Sequence, residues 1–183
     1  MYSALAYGFE GFGWFTFWPP VPNDGVTSFG EAAYDRQTNQ PTDTYYYIKE
    51  GLNEIRLLED VYFNFTWKGT RNVIGEKNDN GGENYDFALA AFAETETPRI
   101  ESVTAEQDTV IGVFGDSSGN DAFMVVNYTE PSRKLDDKVV LKFKDCTKAA
   151  VWENGVQKVY KVENGYLTLH LKGGDGFFVV PVR

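Results

Sequence analysis

The sequence predicts a mainly β protein: a C-terminal antiparallel β-sandwich, preceded by one long amphipathic helix and a short aromatic strand. Three observations predict it. From residue 65 onward apolar residues recur with period two in short runs separated by turn residues, the pattern of half-buried strands. Two Asn-Gly dipeptides, Asn154-Gly155 and Asn164-Gly165, lie between such runs, and Asn-Gly favours the tight turn whose twist matches paired strands. Residues 43–63 carry instead a period of three to four, that of a helix with one apolar face.

In chain order, Met1 to Tyr7 reads as the last turns of a helix. Gly8, Gly11 and Gly13 permit tight turns or close backbone approach. Phe12, Trp14, Phe15, Phe17 and Trp18 crowd into seven positions, and Trp14 to Trp18 reads as a strand apolar on both faces, stopped by Pro19, Pro20 and Pro22. Residues 23–41 read as a polar loop, with Asn23-Asp24-Gly25 as a turn. In the helix, Thr42 or Asp43 serves as N-cap. Tyr45, Ile48, Leu52, Ile55, Leu58 and Tyr62 form the expected buried face, and Gly51 marks close approach to another element. Strands are expected at 65–74, 85–93, 109–115, 121–128, 138–144, 148–153, 156–162, 166–172 and 176–182, with 76–84 as a polar loop. The chain thus divides into an N-terminal segment, 1–64, and a sandwich, 65–183.

Composition narrows the function. The formal net charge of −10 comes with scattered basic residues and no arginine-rich run, so a nucleic acid partner is not expected. A neutral partner such as a carbohydrate is compatible with this charge, and aromatic residues make up 16% of the chain, enough to supply flat faces for sugar rings. No apolar stretch is long enough to span a membrane. Cys146 is the only cysteine and His170 the only histidine. No intrachain disulfide is possible, a Ser-His-Asp or Cys-His centre has little material, and a transition-metal site lacks ligands. His170 alternates with Leu167, Leu169 and Leu171 and is expected to face solvent. There is no phosphate-binding loop or dinucleotide fingerprint, so no cofactor is expected. The runs 116–121 and 78–81 resemble calcium loops in composition but lack the Glu at the twelfth position and read as turns. Asn64-Phe65-Thr66 and Asn127-Tyr128-Thr129 match the glycosylation sequon, and both fall in expected strands. The compartment is left open.

The order of aromatic strand, polar loop, long helix and small β-domain resembles the C-terminal end of clan-A-type glycoside hydrolases, such as the β-galactosidase-like families. ALAYGFEGFGWFTFW resembles the eighth strand of their (β/α)8 barrel, and PTDTYYYIKEGLNEIRLLEDVY is similar to the last barrel helix. TVIGVFGDSSGNDAFMVVNYTEP, with Val125-Val126-Asn127, resembles the start of the trailing sandwich. GYLTLHLKGGDGFFVVPV resembles its closing hairpin, with 173–176 as the turn. A full barrel takes about 250 residues, so this chain would hold only its last βα unit. The resemblance implies that the catalytic acid/base and nucleophile sit on earlier barrel strands, and no catalytic residue carries over. It also implies that an aromatic residue near the end of strand eight floors the sugar subsite, for which Trp14 or Trp18 is the match.

Glycoside hydrolysis needs two carboxyl groups at set separation, and Glu10, Asp24, Glu31 and Asp35 are the carboxylates near that strand; nothing in their spacing selects a pair. The expected function is therefore a non-catalytic accessory β-sandwich of a glycoside hydrolase, supporting the barrel and bordering the carbohydrate site. The alternative is a free-standing carbohydrate-binding or structural module. An aromatic strand without neighbours would expose apolar surface and backbone groups, so self-association through residues 12–18 and the outer face of the helix is also expected.

Overall fold

A computed structural model of the chain describes residues 1–14, 16–19, 32–77 and 95–182. The expected strand at 85–93, the turn at 78–81 and the carboxylates Asp24 and Glu31 lie outside the described residues. Among the described residues, helix α1 (Tyr2–Ala6) and helix α2 (Asp43–Tyr62) precede nine strands: β1 (Thr66–Val73), β2 (Ile100–Ala105), β3 (Thr109–Gly115), β4 (Asp121–Asn127), β5 (Asp137–Phe143), β6 (Lys148–Glu153), β7 (Val156–Lys161), β8 (Tyr166–Leu171) and β9 (Gly176–Val182). They form a six-stranded sheet, β1-β3-β4-β9-β6-β7, and a three-stranded sheet, β2-β5-β8. Every pairing is antiparallel. The expected mainly β sandwich is what the chain forms.

The six-stranded sheet is covered on both faces, which explains the composition of its middle strands. In β3, Ile111 and Val113 face the small sheet, while Val110 and Phe114 face the helices. In β4, Phe123 and Val125 point one way and Ala122, Met124 and Val126 the other. Strands buried on both sides read as continuous apolar runs, here VIGVF and AFMVV. The small sheet is covered on one face only, so β8 alternates: Leu167, Leu169 and Leu171 are buried, while Tyr166, Thr168 and His170 are exposed. His170 faces solvent as expected. Each fully buried Leu or Phe contributes roughly 1.5–3 kcal/mol relative to exposure.

Helix α1 lies directly on the large sheet because two strand positions there lack side chains. A Cβ on Gly112 would meet the Ala6 carbonyl oxygen at 2.4 Å, and one on Gly176 would meet Tyr2 Cβ at 2.5 Å. The helix ends at Gly8 in the left-handed region (φ 77°). The Gly8 N–H donates to the Leu5 carbonyl and the Phe9 N–H to the Ala4 carbonyl, the doubled closure that glycine after a helix permits. The Trp67 indole packs over Gly8, and its Nε1 donates to the Ala6 carbonyl at 3.1 Å. Gly11 and Gly13 have open space around them, so close approach is realised at Gly8 alone of the three.

Several expectations are corrected. Residues 12–14 and 16–18 form no strand; the chain bends at Phe17 and Trp18. The reason is local: the Phe17 ring stacks on Tyr34, and the Phe17 carbonyl accepts from the Tyr34 N–H at 3.0 Å. Only Leu58 and Tyr62 of the expected helix face are buried, and Leu52 is 40% exposed, because α1 is five residues long and too short to cover the whole face of α2. Thr42 occupies the N-cap position but its hydroxyl donates to the Ala32 and Ala33 carbonyls, away from the helix. Strand β2 was not expected from the sequence. Asn154-Gly155 forms the anticipated hairpin, with both residues at positive φ and β6 paired to β7. Asn164-Gly165 has the same conformation, yet the strands on either side go to different sheets. Likewise, Gly173 to Gly176 does not close a hairpin: β8 belongs to the small sheet and β9 to the middle of the large one.

Buried polar groups tie the sheets together. The Asp137 carboxylate accepts from the Glu106 and Gln107 N–H groups and from the Thr109 hydroxyl (2.9, 3.0 and 2.6 Å), clamping the β2–β3 turn to β5. Asn127, fully buried, donates through Nδ2 to the Leu135 and Leu171 carbonyls and accepts from Thr129. Its sequon is therefore closed to solvent, whereas Asn64 sits exposed on the turn after α2.

Candidate functional site

The aromatic segment leaves α1 at Gly8 and lies outside the two hydrophobic cores, apart from Phe12, which packs against the helical one. Trp14 is 50% exposed and Trp18 43%. A strand would have presented alternate rings to two faces; the bend instead links them into a chain of ring contacts. Trp18 meets Phe17 edge-on with centroids 4.9 Å apart, and Phe17 stacks on Tyr34 at 4.4 Å with the planes 19° apart. Tyr34 meets Tyr45 edge-on at 5.3 Å, and Tyr45 meets Tyr46 the same way. Such pairs contribute about 0.5–1.5 kcal/mol each beyond area burial. They carry the segment onto the first turn of α2.

Polar contacts fix the same region. Arg36 donates through Nε and Nη2 to the Pro19 carbonyl at 3.1 and 2.9 Å. Asp35 accepts from the Gln37 and Thr38 N–H groups and from the Thr38 hydroxyl, and these bonds hold its carboxyl below the usual range. Asp35 is therefore the hub of its own turn. Glu10 lines a cleft of about 300 Å³ with Phe9, Phe12, Ile55, Arg56 and Phe63. Beside it, Tyr62 donates its hydroxyl to the Leu5 and Phe9 carbonyls (3.0 and 3.2 Å). Burial, and to a lesser degree the Glu10 charge, push that hydroxyl up to about 12.

The expected site residues thus fall into two groups. Trp14 and Trp18 lie on an exposed aromatic surface, with Trp18 held by Phe17. Of the four nearby carboxylates, Glu10 faces an apolar cleft and Asp35 is committed to a turn; the other two lie outside the described residues. Asp116 likewise serves its β3–β4 turn, accepting from the Ser118 and Asn120 N–H groups. Among the described residues no group of three His, Cys, Asp or Glu side chains converges as metal ligands would, and no helix is long and apolar enough to cross a membrane. Sequence reading missed Tyr34 as the ring that holds Phe17. It also took Tyr45 as core, although the run Tyr45-Tyr46-Tyr47 signalled an aromatic outer surface that one helical face cannot bury.

Compared with protein-family models, curated proteins and solved structures, the chain matches none.

Proposed function

We propose that this chain is a non-catalytic supporting region of a glycoside hydrolase of the barrel type, with its helical and aromatic face seated against the barrel and Trp14 or Trp18 bordering the sugar cleft. The observation that carries the reading is the set of large apolar side chains left exposed along the N-terminal half of the chain. Trp14, Phe17, Trp18, Tyr46, Tyr47, Leu52, Leu57 and Phe63 are exposed on the aromatic segment, α2 and its C-cap. The sandwich exposes apolar side chains as well, among them Ile74, Val156, Val159 and Tyr166, but among the described residues it carries no such exposed aromatic cluster with ring-to-ring contacts. The ring contacts from Trp18 through Phe17, Tyr34 and Tyr45 to Tyr46 make part of this surface contiguous. Contiguous exposed apolar surface marks a contact, and the pattern resemblance of the same two segments to the last barrel strand and helix supplies its nature. When nothing covers the face, it is expected to associate with a second copy.

Two assays test the proposal. Purified chain incubated with chromogenic glycosides is expected to give no turnover; turnover abolished by Glu10→Gln would sink the non-catalytic reading. Titration with soluble glycans, followed by tryptophan fluorescence, addresses the second reading, a free-standing sugar-binding module, which the half-exposed Trp14 and Trp18 favour. Saturable quenching lost on Trp14→Ala or Trp18→Ala would support that module over the supporting role.

A further inference from the structure

A wider cleft, about 780 Å³, with neither Trp14 nor Trp18 in its lining, lies between α2, the start of α1, the β6–β7 turn, the β8–β9 connection and Pro131-Ser132. Its volume falls within the range of roughly 300–1,000 Å³ usual for small-molecule sites. One wall is a single stripe of α2, with Tyr47, Glu50 and Glu54 at helical spacing and Gly51 leaving the stripe low between them. The facing wall supplies Asn154, Lys172 and Asp175. Gly173 and Gly174 line it as well; Gly174 has φ 79°, and a Cβ there would meet Pro131 Cγ at 2.5 Å, so this turn has no room for a larger residue.

The lining selects a ligand class. Three carboxylates and one lysine exclude a polyanion. The three acids do not converge as a metal site would. Glu54 already accepts from the Tyr2 hydroxyl at 2.9 Å, which fixes its carboxylate against the cleft wall. Carboxylate acceptors stand on both walls, with Asp175 accepting from the Lys172 N–H at 3.2 Å, and the Asn154 amide and the Lys172 ammonium supply donors beside it, so a complement that both donates and accepts, as hydroxyls do, suits the lining. The Tyr47 ring, 71% exposed at the rim, offers an apolar face for the C–H side of a sugar ring. We propose that this cleft binds a short neutral oligosaccharide, at a site separate from Trp14 and Trp18 that shares Tyr47 alone with the exposed face of the supporting role.

The test is isothermal titration of the whole chain with neutral gluco-, galacto-, manno- and xylo-oligosaccharides, and with calcium chloride as a counter-probe. Tyr47 and Glu50 are exposed, so Tyr47→Ala and Glu50→Gln leave the core intact, which unchanged melting would verify. The expected result is saturable binding of at least one saccharide, weakened about tenfold or more by either substitution and unchanged by Trp14→Ala or Trp18→Ala. No saturation by any saccharide up to about 10 mM, calcium binding alone, or saccharide binding indifferent to both substitutions would each overturn the proposal. Binding lost only with a tryptophan substitution would move the sugar site to the aromatic face.

Discussion

At the scale of single residues, the glycines divide by what stands opposite the missing Cβ. Gly51 faces only the flexible end of the Met1 side chain, at 2.7 Å, whereas Gly112 faces the backbone of Ala6. Gly51→Ala is expected to raise stability by about 0.5–1 kcal/mol through helix propensity, because Met1 can swing aside. Gly112→Ala has no such escape and is expected to cost about 1–3 kcal/mol by pushing α1 off the sheet; urea unfolding of both variants checks the opposite signs. Asp137 gives a second contrast. Burial pushes its carboxyl up despite three hydrogen bonds. Asp137→Asn keeps an oxygen for the two N–H groups, and the Thr109 hydroxyl can turn fully to the Gln107 carbonyl it already contacts. That variant is expected to be near neutral, while Asp137→Ala strands buried donors and is expected to cost about 2–3 kcal/mol. Equal losses in thermal melts of the two would contradict this account. Asp137 could not have been singled out from sequence, since its partners lie some 30 residues away; Asn127, by contrast, stood out through the Val125-Val126-Asn127 pattern.

At the scale of elements, the strands were legible where one force dominated. β8 alternates because one of its faces is wet, and its bounds were foreseen to within one residue. The positions of β3 and β4 were also legible, but the period-two reading made them half-buried strands, and the sequence did not reveal that helices cover their second face. β2 (IESVTA) escaped notice because its apolar residues are few and Thr and Ser interrupt them. Sheet assignment was misread at both Gly-containing turns after β7, because a turn dipeptide fixes local backbone shape and is silent about which edge the next strand finds. The α1–α2 junction yields a pH prediction. The Tyr62 hydroxyl titrates at about 12 and that of Tyr2 is also raised, mainly by burial. Their contribution to stability is complete below the ordinary tyrosine value near 10 and is lost as pH rises through the raised values. Stability should therefore fall from about pH 10 upward. Tyr62→Phe, expected to cost about 1–2 kcal/mol at neutral pH, should make that alkaline decline shallower. An unchanged slope in chemical denaturation across the range would show that the junction is not the sensitive element.

At the scale of the whole molecule, the exposed aromatic and helical face leads to a prediction about behaviour in solution. Sedimentation velocity is expected to show concentration-dependent association, reduced when Phe17 and Trp18 are both replaced by Ser; a single monomeric species at high concentration would remove this expectation. The net charge of −10 opposes such contacts at low ionic strength, so association should strengthen as salt screens it. The topology carries a further consequence. β9, last of the strands, lies between β4 and β6 in the middle of the large sheet. While a nascent chain still lacks residues 176–182, β4 and β6 each present a bare hydrogen-bonding edge, and the apolar stripes Phe123–Val125 and Ala149–Val151 have no neighbour between them. Synthesis on the ribosome thus passes through a state in which two half-sheets wait for the strand that joins them, exposed to chaperones and proteases until that strand emerges.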